Sequence, residues 1–128
     1  MPVRVELTNE AMDDLRRYVA SGNLRQFLAK LVRLEDVGKD AGLPLGRGLT
    51  GWRKIVVGDR NWRIVFSMNA SDTVATVWVI GDREDGECYD EAMRRLAKHR
   101  AGDAESSSLA TIIFRLMQAR QERRGGRS

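Results

Sequence analysis

Trp52-Arg53-Lys54-Ile55-Val56-Val57-Gly58-Asp59-Arg60-Asn61-Trp62-Arg63-Ile64-Val65-Phe66, continued after a polar break by Thr76-Val77-Trp78-Val79-Ile80-Gly81-Asp82-Arg83, decides the fold. The runs are rich in β-branched and aromatic residues and are separated by turn formers, which predicts an antiparallel meander. Gly58 to Asn61 and Asn69-Ala70-Ser71-Asp72 are the expected turns. With Asp59-Arg60 as a two-residue turn, Val57 faces Trp62, Val56 faces Arg63 and Lys54 faces Val65. Side chains alternate between faces along a strand, and cross-strand pairs share a face. Ile55, Val57, Trp62, Ile64 and Phe66 then form one apolar face, and Lys54 and Arg63 lie together on the other. A three-residue turn would separate them. Taken alone, the two cations read as unrelated charges on the wet side of a sheet.

Working outward, Val3-Arg4-Val5-Glu6-Leu7 alternates and reads as a first strand. Thr8 is a candidate N-cap for a helix carrying Ala11, Leu15, Tyr18 and Val19, which ends at Ser21-Gly22-Asn23. Leu24, Phe27, Leu28, Leu31 and Leu34 mark a second helix ending near Gly38, so a helical hairpin is expected over the apolar sheet face. Residues 38–51 form a glycine-containing loop without the Gly-Lys-Ser/Thr ending or following helix of a phosphate-binding loop. A third helix is expected from about Asp90 to Arg100, with Tyr89, Ala92, Met93 and Leu96 on one face. Residues 102–105 read as a linker. Ser106 to Ser108 are expected to cap a last helix bearing Leu109, Ile112, Ile113, Leu116 and Met117, followed by a basic tail. Its apolar stripe requires a cover: the body, a second copy or another protein. The division is therefore 1–101 as the main domain and 102–128 as linker, amphipathic helix and tail.

The 128 residues are one domain's worth. One cysteine, Cys88, excludes an internal disulfide and fits a reducing compartment. The absence of a long apolar run and of a signal-type N-terminus leads to an expectation of a cytoplasmic protein without membrane association. The net charge of +4 arises entirely beyond residue 105: residues 1–105 hold 17 basic and 17 acidic side chains, residues 106–128 five Arg and one Glu. Within the body, Arg47, Arg53, Lys54, Arg60 and Arg63 cluster around Trp52 and Trp62, a composition suited to RNA phosphates and bases. A single His and a single Cys make a metal site a poor expectation, and no cofactor is expected. His99 reads as a partner of its helix dipole.

Lys54, Arg63, Arg83 and Tyr89, set in the order strand, helical hairpin, Leu49-Thr50-Gly51, Arg53-Lys54-Ile55-Val56-Val57-Gly58, Trp62-Arg63-Ile64-Val65-Phe66, Val79-Ile80-Gly81-Asp82-Arg83 and Glu87-Cys88-Tyr89-Asp90-Glu91-Ala92, resemble the RelE/ParE superfamily of bacterial type II toxins. The resemblance covers roughly residues 3 to 97. It implies an α+β fold, with an N-terminal strand and helical hairpin on an antiparallel meander and helices at the C-terminal end. It is closest to the RelE-like mRNA interferase branch. It implies ribosome-dependent, metal-independent mRNA cleavage through attack of a ribose 2′-OH, with Lys54, Arg63, Arg83 and Tyr89 as catalytic residues. Arg47, Trp52, Arg53 and Arg60 are the expected RNA contacts. The implied partners are a cognate antitoxin, the ribosome and mRNA, with an oligomer through the C-terminal helix left open. Val56 stands where that branch often carries a second lysine, and Asp82 and Asp85 flank Arg83. A ParE-like gyrase inhibitor or a catalytically weak interaction module on the same fold therefore stay open.

Overall fold

The structure is a computed structural model that describes residues 2–19, 21–46, 51–58, 62–82, 85–100, 106–108, 112, 113 and 116. Strand β1 (Arg4–Thr8) runs directly into helix α1 (Asn9–Arg16). Thr8 closes the junction: its Oγ1 accepts the Ala11 N–H at 3.1 Å, satisfying a first-turn donor that the helix itself cannot. Helix α2 (Leu24–Val37) stops at Gly38, whose φ of 71° suits glycine and few other residues. A 3-10 turn over Gly38–Ala41 leads to a short strand, β2 (Leu43–Pro44).

The meander follows as β3 (Trp52–Val57), β4 (Trp62–Met68) and β5 (Val74–Gly81). Its first hairpin has the expected register, with Lys54 opposite Val65, Val56 opposite Arg63 and Val57 opposite Trp62. The second turn is built by Asn69, whose Oδ1 accepts the Thr73 and Val74 N–H groups at 2.8 and 2.9 Å. Asp72 takes the left-handed conformation beside it, at φ 55°. The sheet order is β2-β3-β4-β5-β1, with a last strand, β6 (Ser106–Ser108), outside β1. β1 is parallel to β5, and every other neighbouring pair is antiparallel.

Both faces of this sheet are covered. One carries Val5, Leu7, Ile55, Val57, Ile64, Phe66, Ala75, Val77 and Ile80, packed against Leu15 of α1 and Phe27, Leu31 and Leu34 of α2. The other carries Val65, Trp78 and Val79 under helix α3 (Asp85–Arg100), which contributes Cys88 and Ala92. Trp78 and Val79 are consecutive yet share a face because the β4–β5 ladder slips between Val65 and Phe66. A β-bulge places two successive side chains on one side. Trp62 lies on the first face, half-buried, with ring centroids 5.6 Å from Phe27 and 6.1 Å from Tyr18. Trp52 lies on the second face, 5.6 Å from Trp78.

Two expectations are corrected. Ser106 to Ser108, expected at the start of a helix, form a strand that pairs antiparallel with Glu6 to Thr8. The outer edge of β1 offers a row of unpaired backbone groups, and main-chain bonding there outweighs a local capping preference. α3 begins at Asp85, five residues before the expected start, so Glu87 and Cys88 belong to its first turns. Acidic residues are favoured at that end by the helix dipole, so the acidic run continues the helix rather than preceding it. Beyond β6, Ile112, Ile113 and Leu116 are helical, and Ile112 and Leu116 are buried in the first-face core. Leu109 and Met117 lie outside the described residues.

Candidate functional site

The hairpin register creates the site. Lys54 of β3 and Arg63 of β4 project from the face that α3 covers, as diagonal neighbours roughly 7–8 Å apart at the backbone. Val65, between them in register, lies in the same cluster as Tyr89 of α3. Three of the four expected catalytic side chains, Lys54, Arg63 and Tyr89, thus lie on the α3 side of the sheet, and each is half-buried. Half-burial suits a charged surface site, because it weakens solvent screening without removing access. Arg63 donates to its neighbouring Trp62 carbonyl at 3.2 Å. Arg83 lies outside the described residues; Gly81, two residues before it, is the β5 partner of Arg63.

The expected RNA contacts divide. Trp52 shares the face of Lys54, two residues along β3, and stacks on Trp78. The Trp78 indole N–H is tied to Ser67 Oγ at 2.9 Å, and its ring meets His99 edge-on at 5.1 Å. Trp52 is therefore the outer member of an anchored aromatic row. Arg53 points to the opposite face, and its Nε and Nη2 donate to the Gly42 carbonyl at 3.3 and 3.0 Å. It secures the β2 edge rather than joining Lys54. Arg47 and Arg60 lie outside the described residues. His99 is in the last turn of α3 and its Nδ1 is buried without a hydrogen-bond partner among the described residues. No three His, Cys, Asp or Glu side chains among the described residues come together as metal ligands.

A charged cluster behind the site was not singled out from the sequence. Asp14 of α1 and Arg95 of α3, 3% and 5% exposed, form a two-pronged ion pair with contacts of 2.6 and 3.2 Å. Glu91 adds a 2.7 Å contact to Arg95 Nε, and Arg94 bridges Glu91 and Glu10 at 2.6 and 3.0 Å. Hydrogen bonds from Arg94 first, and then from Arg95, outweigh partial burial and hold the Glu91 carboxyl down to about 2. Burial opposes the charge of Arg95, but Asp14 and Glu91 outweigh it and raise its pKa. A sequence signal existed: Asp14 falls on the Ala11/Leu15/Tyr18 stripe and Arg95 on the Cys88/Ala92 stripe, charges where apolar residues are due.

The sheet order, the helical hairpin and the α3 layer define the class: this is a RelE-like toxin fold, of α+β type. Among solved structures, the chain is similar to a double arginine-to-alanine mutant of the E. coli toxin RelE in the free state, with 25% identity, a TM-score of 0.59, and 74% of this chain and 98% of that one covered. It is similar to that mutant in complex with a peptide of the antitoxin RelB, at 26% identity and TM-score 0.52, covering 72% and 95% of the two chains. The toxin–antitoxin complex RelBE2 from Mycobacterium tuberculosis matches at 21% identity and TM-score 0.54, over 65% of this chain and all of that one. No sequence-family model and no curated protein matches the chain. No helix among the described residues is long and apolar enough to cross a membrane.

Proposed function

We propose that the chain is the toxin of a type II toxin–antitoxin system and acts as a ribosome-dependent endoribonuclease in the cytoplasm. The observation that carries this is the hairpin register, which sets Lys54 and Arg63 on the sheet face whose apolar cluster Tyr89 packs against, in a RelE-like fold. The 2′-OH of one nucleotide attacks its 3′ phosphate, the bond to the next 5′-oxygen breaks, and a 2′,3′-cyclic phosphate and a 5′-OH remain. Such a reaction needs a proton acceptor, charge stabilisation on the phosphorane and a proton for the leaving oxygen. Arg63 clamps the phosphate oxygens through its planar fork. Lys54 stabilises the same charge or assists proton removal. Tyr89 orients the 2′-OH or stacks on a base, and Trp52 offers a further stacking platform. Arg83, from the segment between β5 and α3, stabilises the leaving oxygen.

The partners follow from the same reading: mRNA on the ribosome as substrate, and a cognate antitoxin as inhibitor. An oligomer through the C-terminal segment is not needed, since Ile112 and Leu116 are covered by the chain's own core. Expression without an antitoxin should arrest growth by blocking translation. Arg63→Ala and Arg83→Ala should each relieve the arrest while circular dichroism stays native, because a lost transition-state cation costs rate rather than fold. Full toxicity of both folded variants would remove the nuclease assignment.

A further inference from the structure

β1 is too short for β5. Its parallel pairing ends at Leu7 opposite Val77, after which the chain turns into α1, leaving the last residues of β5 without a partner strand on that side among the described residues. Two of the backbone groups on that edge are nevertheless bonded, both by side chains. Ile80 N–H donates to Asp14 Oδ2 at 3.0 Å, and Arg95 Nη1 donates to the Trp78 carbonyl at 2.8 Å. Asp14 and Arg95 are in turn bonded to each other. A buried ion pair from two helices on opposite faces of the sheet thus stands in for the missing strand.

We propose that Asp14 and Arg95 are positioning residues for the site, setting the end of β5 and helix α3 at a fixed separation. Stability alone does not explain such a pair, since buried ion pairs are commonly no better than an apolar filling. Geometry does. Ile80 and Gly81 are the register partners of Ile64 and Arg63, so holding Ile80 holds the strand against which Arg63 is placed. On α3, Arg95 lies six residues after Tyr89, about 9 Å along the helix, and its Nε is bonded to Glu91. The segment joining the two clamped elements carries Arg83. A planar guanidinium bonded on several sides resists rotation in a way that a lysine ammonium does not. Displacements of about 1 Å are enough to cost a reaction of this kind heavily in rate.

Only the ribosome-binding and kinetic arms of the test rest on the nuclease reading. Two variants are compared with the full-length wild type: Asp14→Asn with Arg95→Gln, which keeps hydrogen-bonding groups without the charges, and Arg95→Lys, which keeps the charge without the fork. Both should remain folded, with unchanged affinity for mRNA-programmed ribosomes. The cleavage rate at saturation should fall at least tenfold in the amide pair and less in Arg95→Lys, with KM little altered. The Ile80 amide, protected in the wild type, should exchange at least tenfold faster in the amide pair, and nuclear Overhauser contacts between the Tyr89 ring and the apolar cluster of Val65, Trp78 and Val79 should weaken. Folded variants with wild-type cleavage rates at saturation overturn the proposal. If the wild type itself does not cut mRNA, the nuclease reading falls alone. Positioning is then decided by Ile80 exchange and the contacts of Tyr89 with that cluster, and wild-type values for both in the amide pair refute it. An unprotected Ile80 amide in the wild type refutes it without any variant.

Discussion

Gly58→Ala should damage the hairpin that creates the site, and the structure gives the size of the effect. Gly58 has φ +66°, and a Cβ there would lie 2.7 and 2.9 Å from the Trp62 ring and 3.1 Å from Gln26 Oε1. A non-glycine residue in the left-handed region costs about 1–2 kcal/mol. Overpacking adds about 1–3 kcal/mol where the neighbour cannot withdraw, and the Trp62 ring is backed by Phe27 and Tyr18. The less flexible unfolded chain returns about 0.4–1 kcal/mol. The net loss is about 1–5 kcal/mol, which at its middle is on the order of 10 °C in Tm for a chain of this size. Urea unfolding followed by far-ultraviolet circular dichroism measures it. Repeating the substitution in a Trp62→Leu background removes the contact but not the backbone strain, so the two changes should couple by about 1–3 kcal/mol. Gly58→Asn, better tolerated in the left-handed region, should recover part of the backbone cost only. A loss below about 0.5 kcal/mol for Gly58→Ala, on the usual scale of an inconsequential surface change, would refute the tight hairpin and with it the juxtaposition of Lys54 and Arg63.

Ile112→Ala should destabilise the whole fold by about 2–5 kcal/mol, the usual cost of emptying a core site, since Ile112 is fully buried with Leu31 and Leu34 in one cluster; a negligible loss in thermal unfolding would make the C-terminal segment an appendage. Glu91, held at about 2 against an ordinary 4.5, contributes stability that is complete above about pH 4.5 and is lost as pH falls from there towards 2. The Tm of the wild type should therefore drop more steeply across that window than that of Glu91→Gln, and parallel curves would contradict the Arg94–Glu91–Arg95 linkage. Val56→Lys, which adds a cation directly opposite Arg63, should tighten RNA binding and steepen its salt dependence; an unchanged salt slope would show that RNA does not reach this face.

The hairpin register was legible because turn chemistry and apolar alternation agree: Gly58 to Asn61 fixes the pairing, and Ile55, Val57, Ile64 and Phe66 alternate with Lys54 and Arg63. Thr8 and Gly38 were legible for the same local reason, since a capping hydroxyl and a left-handed glycine act within one turn of the chain. The bulge at Trp78 was hidden, because Val77 to Ile80 is a continuous apolar run without alternation to betray the slip. β6 was hidden because its stability comes from the free edge of β1, a hundred residues away, and not from three serines. Asp14 and Arg95 lie on separate apolar stripes, 81 positions apart, and only their contact across the end of β5 explains why charges sit there. At the site, the shared face of Lys54 and Arg63 followed from alternation combined with a two-residue turn. The proximity of Tyr89 depends on where α3 lies, which alternation does not specify, and the turning away of Arg53 depends on a carbonyl at Gly42.

Adding the purified wild-type protein to ribosomes stalled on a defined mRNA, with end-group analysis of the RNA and a gyrase supercoiling assay in parallel, tests the nuclease assignment most directly. The expected result is cuts at codon-periodic positions in the ribosome-bound message, each leaving a 2′,3′-cyclic phosphate and a 5′-OH, with no cuts in Arg63→Ala and no change in supercoiling. Intact mRNA in the presence of folded wild-type protein, with or without inhibition of gyrase, would contradict it.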